Sequence, residues 1–324
     1  MTRSPHTPEF PRPRLGVSAC LLGEPVRYDG GHKRHAFLAD VLAAHLDCVP
    51  LCPEAGIGMG VPRAPIHLVG ERDAVRALGV QDPSVDVTAR LQRFAIDRRD
   101  ELGTLSGFLF KKDSPSCGVR GVRLLAVPGH LMQRRGTGIF AAAVSAALPL
   151  LPLEQEDALD YPLRRENFIC RLYVYRRWQA LLDNGLSIAS LQAFHTAHEH
   201  LVKAHSQAAC RRLARLSGSP DSDPLQDTAG RYIRELMRSL ARPATRERHS
   251  TVQRELAGLL QARLDNRHRS ILTKKLDAYR AGTLPLQGIV AALREPFERC
   301  EPPCASGYAY LYPYPDSFQL RESL

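Results

Sequence analysis

Three cysteines in the first half of the chain stand where apolar runs give way to loops. Cys20 follows Leu15–Ala19, Cys52 follows Val49–Leu51, and Cys117 lies just beyond Gly107–Phe110, within Lys111–Gly118. Short apolar runs bounded by turn residues read as buried strands. In an open parallel sheet the carboxyl ends of the strands meet at a crevice, where ligands bind. Three thiols delivered there by three loops make a soft-metal site. A cubane iron–sulfur cluster bound by three thiolates leaves one iron open as a Lewis acid. Zinc on three cysteines plus a water is the rival reading. Cys48 precedes Cys52 by four residues of strand, roughly 13 Å at about 3.3 Å per residue. That is too far for one cluster, so Cys48 reads as packing.

Polar groups surround these thiols in the sequence. Glu54, two residues after Cys52, is placed to act as general base toward a water, or simply to cap a turn. Ser114 and Ser116 flank Pro115 and offer hydroxyls to a substrate. Arg27, Tyr28 and Asp29 occupy the loop after Cys20. They are substrate-binding candidates, although Arg27 and Asp29 also read as a local loop pair. Arg63 follows a stretch with glycines at 56, 58 and 60. That glycine spacing does not follow a strand in the dinucleotide pattern, so no NAD site is inferred.

The elements that must position these groups alternate in the first half. Helical periodicity marks His35–Leu46, Val87–Leu102 and Gly138–Leu148, with strands between them and a further strand at Val122–Val127. Leu150–Leu153 contains Pro152 and reads as a short edge strand at best. Strand–helix alternation predicts an α/β domain with a mostly parallel sheet. The second half has almost no strand signal and predicts an all-α domain. Its helices fall at Glu166–Leu182, Thr228–Leu240, Thr245–Leu264 and Arg269–Arg280. A long one is N-capped by Ser187 and runs to about Leu216. Ser219–Pro224 is a polar break, and Tyr308–Pro315 reads as an extended strap. The expected organisation is a disordered tail at 1–14, an α/β domain at 15–155 and a helical domain at 162–324.

Composition narrows the class. Hydrophobic residues make up 44% of 324 positions, enough for two ordinary cores. No apolar run reaches membrane-spanning length, and the Pro- and Arg-rich start does not read as a signal peptide. Eight cysteines are too few for a disulfide scaffold. A cytoplasmic chain with reduced thiols is expected. Residues 1–160 carry 19 Lys and Arg against 18 Asp and Glu, whereas residues 161–324 carry 25 against 16. The second half is therefore basic, which suits an anionic partner such as nucleic acid or a phosphorylated ligand.

That half also holds a histidine stripe. His195, His198 and His205 fall within about 80° of one helix face. Together with His249 they form a possible second site, for metal, phosphate or proton transfer, or else a buried hydrogen-bonded network. Arg246, Arg248 and His249, at a helix start, could add to an anion site. Cys300 and Cys304 flank Glu-Pro-Pro and read as a local loop pair.

Several strings resemble a known family. Val17-Ser-Ala-Cys-Leu-Leu-Gly23, Arg27-Tyr-Asp-Gly-Gly31, Cys52-Pro-Glu54, Pro62-Arg63 and Ser114-Pro-Ser-Cys-Gly118 are similar to the DUF523 domain, which includes the thiouracil desulfurases. The resemblance covers about residues 14–155. It implies a [4Fe-4S] cluster on Cys20, Cys52 and Cys117, and non-redox removal of sulfur from a thiolated pyrimidine. It places the family's acidic residue and serine on Glu54 and Ser114. One departure is Val26, where many members carry another cysteine. The second half resembles the DUF1722, or YbgA-like, family over about 165–321. The matching strings include Arg171-Leu-Tyr-Val-Tyr-Arg-Arg-Trp178, Phe194-His-Thr-Ala-His198, Ala204-His-Ser206 and Arg248-His249. Thr251 and Glu255 stand where members often have Asn and His.

The leading expectation is an iron–sulfur desulfurase of a thiouracil-like nucleobase, with the helical domain gating the site or recruiting substrate. The alternatives are a nucleic-acid-binding protein with the first domain as sensor, and a zinc hydrolase.

Overall fold

Leu15 and Val17 are fully buried, which makes β1 (Arg14–Ser18) an interior strand. Its register is parallel to β2 (Asp47–Leu51) on one side and to β5 (Gly107–Phe110) on the other. The edge strand β8 (Leu153–Gln155) pairs in parallel with β5, completing a four-stranded sheet in the order β2-β1-β5-β8. β5 is buried throughout, as expected of a parallel strand covered on both faces. Phe108 and Phe110 stack at 4.0 Å, and Phe140 of α4 (Ile139–Ala147) meets both edge-on. That contact fixes α4 against the strand that leads to Cys117.

A second four-stranded sheet was not read from the sequence. It has the order β4-β3-β6-β7, with β3 (Ile66–Val69), β4 (Arg76–Gly79), β6 (Val122–Leu125) and β7 (Gln133–Gly136). Only β3 and β6 run parallel, and the outer pairings are antiparallel. Its members have four residues each, too few for period-two patterning to stand out. Their inner faces pack on Val87, Leu91 and Ile139.

The structure is a computed structural model and describes residues 10–70, 74–125, 133–218, 224–260, 264–298 and 308–322. Its contacts divide the chain into two units, Arg12–Tyr161 and Pro162–Leu324, the latter together with Phe10 and Pro11. The first unit holds both sheets, the single turn α1 (Pro53–Gly56), α2 (Thr88–Asp97), α3 (Arg99–Gly103) and α4. The second is helical throughout its described residues. Its helices are α5 (Pro162–Asp183), α6 (Ile188–His205), α7 (Gln207–Gly218), α8 (Leu225–Leu240), α9 (Arg246–Leu260), α10 (Asn266–Ala281), α11 (Leu286–Glu298) and the short α12 (Tyr308–Leu311). Thus the α/β half with a mostly parallel first sheet and the all-α half are both present.

Several expectations need correction. His35–Leu46 is not a regular helix but a wide turn over Phe37–Val41 followed by a tight one over Leu42–Ala44. The Val87–Leu102 helix breaks at Arg98 into α2 and α3. Ser187 does cap α6, in a reciprocal box with Ser190, but the helix ends at His205 because Ser206 is extended. The Tyr308–Pro315 strap begins as a helical turn whose Tyr310 and Leu311 are buried. The tail shortens too. Phe10 packs edge-on against Tyr173 at 5.9 Å, Arg12 pairs with Asp47 at 3.0 Å, and Arg14 opens β1. The Cys300–Cys304 pair and most of the Ser219–Pro224 break lie outside the described residues, as does the end of Val122–Val127.

Candidate active site and metal centre

The strand order β2-β1-β5 places three adjacent carboxyl ends side by side, and each is followed by one of the three cysteines. Successive strands depart to opposite sides of β1, so the crevice rule for open sheets applies here. Cys20 sits in a tight turn over Ala19–Leu22, closed by Gly23 in the left-handed region at φ +101°. Its carbonyl accepts the Lys33 N–H at 2.9 Å, tying the turn to the loop beyond. Cys52 is the residue preceding α1, with Pro53 at the first helical position. Ser18, at the end of β1, accepts the Lys111 N–H at 2.9 Å and also bonds the Cys117 thiol. One hydroxyl thereby joins the ends of β1 and β5 at the third cysteine.

The Ser114–Gly118 loop is held from below by α4. The N–H groups of Gly138, Ile139 and Ala141 donate to the carbonyls of Gly118, Pro115 and Ser116 at 2.7, 3.0 and 3.1 Å. Those are donors that a helix N-terminus cannot satisfy internally. The approach is close enough that a Cβ on Gly138 would lie 2.5 Å from the Ser116 carbonyl carbon and 2.8 Å from the Cys117 nitrogen. Gly138→Ala must therefore displace the loop. The expected result is a stability loss of about 1–3 kcal/mol from overpacking. An unfolding midpoint equal to wild type would contradict it.

Around the thiols the polar groups form one connected set. Glu54 accepts from Arg63 Nε at 2.8 Å and from Ser116 Oγ at 2.8 Å, one bond to each carboxylate oxygen. Arg63 is buried and also donates to the carbonyls of Gly60 and Val26 at 2.9 Å each, with its Nη2 3.9 Å from Cys52 Sγ. Ser114 Oγ accepts the N–H groups of Ser116 and Cys117 at 3.3 and 3.1 Å. Its own proton has no acceptor among the described residues, so Ser114 remains a donor toward a ligand. Arg27 and Asp29 pair with each other at 3.3 Å, and Asp29 also accepts the Gly31 N–H, which with Arg27 holds its carboxyl below the usual range. The alternative reading of these two as a loop pair describes their contacts.

Thiol electrostatics bear on whether a metal group fits. Burial, and next the charge of Cys52, pushes the Cys20 thiol up to about 11. Burial pushes Cys117 well above the usual thiol range, and Glu54, Cys52 and Cys20 push in the same direction. Cys20 thus feels Cys52, and Cys117 feels both, whereas Cys48 responds to burial, Arg12 and Asp47. A metal group binds thiolates, supplies compensating positive charge and releases the thiol protons. No group of three His, Cys, Asp or Glu among the described residues is placed to hold a single metal ion. A cubane spreads its three ligands over three irons, so its thiol triangle is wider than the shell of one ion. The donor set of three soft thiols, with Glu54 engaged by Arg63 and Ser116, fits such a cluster.

Residues 15–156 match the family described as 2-thiouracil desulfurase. This half of the chain is thus similar to that family. Residues 200–315 match the family described as protein of unknown function DUF1722. The chain is 23% identical over 159 residues to the uncharacterized protein YbgA of Escherichia coli (strain K12), covering 49% of this chain and 94% of that protein. It also resembles the structure of the [4Fe-4S]-dependent thiouracil desulfidase TudS, with 29% identity and a TM-score of 0.38. That match covers 46% of this chain and 94% of the other. Nothing in these comparisons supports nucleic-acid binding by the basic half.

Within the first half, sequence reading missed two charged residues. Lys111 pairs with Glu156, whose second oxygen accepts the Lys112 N–H at 2.6 Å. Both charges are felt by Cys20, Lys111 lowering and Glu156 raising its pKa. Lys111 directly follows β5, and that position was the available signal. Glu156 lies between the expected domains at 15–155 and 162–324, where the sequence offers no functional signal. Val26, the departure from the family pattern, has its carbonyl bonded to Arg63 and 3.7 Å from Cys52 Sγ.

The four histidines of the helical half do not converge on one centre. His195 Nδ1 faces Tyr232 Oη and His249 Nδ1 faces Tyr310 Oη, each at 3.1 Å. His198 and His205 use Nδ1 on the carbonyls of Phe194 and Arg242, both at 2.7 Å. They are pieces of a buried polar network, the other reading of the stripe. Burial, and then Arg177, pushes His198 from 6.5 down to about 3. The unfolded chain binds this proton more readily, so the stabilisation is complete above the unfolded value and is lost as pH falls from there toward the folded value. At about pH 5 the loss from His198 is about 2 kcal/mol. The unfolding midpoint should fall between about pH 7 and about pH 5, and His198→Leu should flatten that dependence. A wild-type midpoint unmoved over this range would contradict it.

Proposed function

We propose that the chain removes sulfur from a thiolated pyrimidine-like small molecule without net redox change, using a [4Fe-4S] cluster on Cys20, Cys52 and Cys117. The observation that carries this reading is that three neighbouring strand ends each lead into one of these cysteines, beside the hydrogen-bonded set of Glu54, Arg63, Ser116 and Ser114. When bound, a cluster with three protein thiolates supplies one iron with an open position as a Lewis acid for the departing sulfur. The overall change replaces a carbon–sulfur double bond with a carbon–oxygen one. Water provides the oxygen, and its two protons leave with the sulfur as hydrogen sulfide.

Glu54 takes a proton from the attacking water. Two of its lone-pair positions are used by Arg63 and Ser116, which leaves others for that proton. Fixing both carboxylate oxygens holds the base in one orientation, the usual requirement for efficient proton transfer. Ser114 donates its free proton to the substrate. Its oxygen accepts two N–H groups, which polarises the hydroxyl and strengthens it as a donor.

The test is anaerobic purification followed by iron and sulfide analysis, an absorption spectrum and incubation with 2-thiouracil. Brown protein holding about four irons and releasing uracil with sulfide is expected. Colourless protein with one zinc and no sulfide release would end the reading.

A further inference from the structure

A cleft of about 540 Å³ opens in the helical half, lined by Arg246, Glu247, Ser250, Thr251, Arg254 and Arg280. We propose that it binds a small phosphate monoester, with phosphate facing the arginines and a hydrogen-bond donor of the ligand facing Glu247. The volume falls in the range of small-molecule sites.

Arg246 opens α9, an end where helix polarity disfavours cations. It is kept there by donating to the Tyr279 carbonyl at 2.8 Å and by lying over the Tyr279 ring at 4.7 Å. Arg254, two turns further along α9, and Arg280, in the last turn of α10, are exposed. Neither side chain has a hydrogen-bond or ion-pair partner among the described residues, and nor does the Glu247 carboxylate. Three guanidinium groups around one concavity repel one another, and an anion between them relieves that cost. The Ser250 and Thr251 hydroxyls already donate to the carbonyls of Arg246 and Glu247, so recognition of the anion falls to the arginines.

The shape selects between sources of phosphate. A nucleic-acid backbone is tracked by an extended basic groove. Here the charge converges on a cleft whose lining also includes the Glu247 carboxylate, which would repel a chain of phosphates. A terminal phosphate on a molecule bearing an O–H or N–H donor satisfies both the arginines and Glu247.

The experiment is titration calorimetry of the full chain with inorganic phosphate, uridine monophosphate and a short single-stranded RNA. Uridine monophosphate should bind more tightly than phosphate. The double variant Arg254→Gln, Arg280→Gln should weaken both by at least about tenfold, since charge-assisted bonds are lost. Glu247→Gln, which keeps the arginines, should reduce the advantage of the nucleotide over phosphate. The proposal falls if neither small anion binds, if the double variant binds as wild type, or if RNA binds while both small anions do not. None of these readouts requires the cluster, so the outcome is independent of the desulfuration reading.

Discussion

Cys20→Ser, Cys52→Ser and Cys117→Ser are each expected to lose the cluster absorption and all measurable release of sulfide from 2-thiouracil. Serine keeps the size of the side chain but replaces a soft thiolate with a hydroxyl that stays protonated, so iron loses a ligand. The three positions are not interchangeable with the chain's other thiols. Cys20 and Cys117 are buried, Cys20 feels Cys52, Cys117 feels both, and all three follow neighbouring strands of one sheet. Cys48→Ser is the control. Its thiol lies within β2 and senses Arg12 and Asp47, so iron content and turnover should match wild type. Iron analysis on the four variants, reconstituted in parallel, decides the matter. A serine variant that retains full iron and activity at 20, 52 or 117 removes that residue from the ligand set.

Glu54→Gln should lower turnover by about 10²–10⁴-fold, the usual contribution of a positioned general base. The amide can still accept from Arg63 and still meet Ser116, so the local geometry survives while the basic group is gone. Iron content and absorption should therefore be unchanged. That split separates a group acting on water from one that merely supports the Cys52 loop. If the variant loses iron in proportion to activity, Glu54 is a structural cap, the other reading its sequence position allowed. Full turnover would transfer the role of base elsewhere in the crevice.

Which of these features were legible before folding depended on whether the signal was local. Cys20, Cys52 and Cys117 could be read because each ends an apolar run, and strand ends in a parallel sheet have a common destination. Glu54 stood out because it follows Cys52 by two residues. Arg63 could be named but not explained. Its bonds to Glu54, Gly60 and Val26 join three separate loops, and no periodicity encodes that. Of the second sheet only β6 was read, as Val122–Val127, because the other four-residue strands carry too little pattern to separate from loop. The histidine stripe was visible as spacing, yet spacing on one helix does not say what faces it. Tyr232 comes from α8 and Tyr310 from α12.

The sequence by itself determined the division into an α/β half and a helical half, the strand-end positions of the three cysteines and the motif order that makes the first half similar to the desulfurases, since each rests on local composition or spacing. Only the tertiary structure decided that Ser116 rather than Ser114 holds Glu54, that Lys111 and Glu156 belong beside Cys20, and that three arginines of the helical half line one cleft. The physical reason is that hydrogen bonds and charges act over a few ångströms in space. Residues 54 and 116, or 254 and 280, become neighbours only after backbone packing has been settled by the buried apolar side chains.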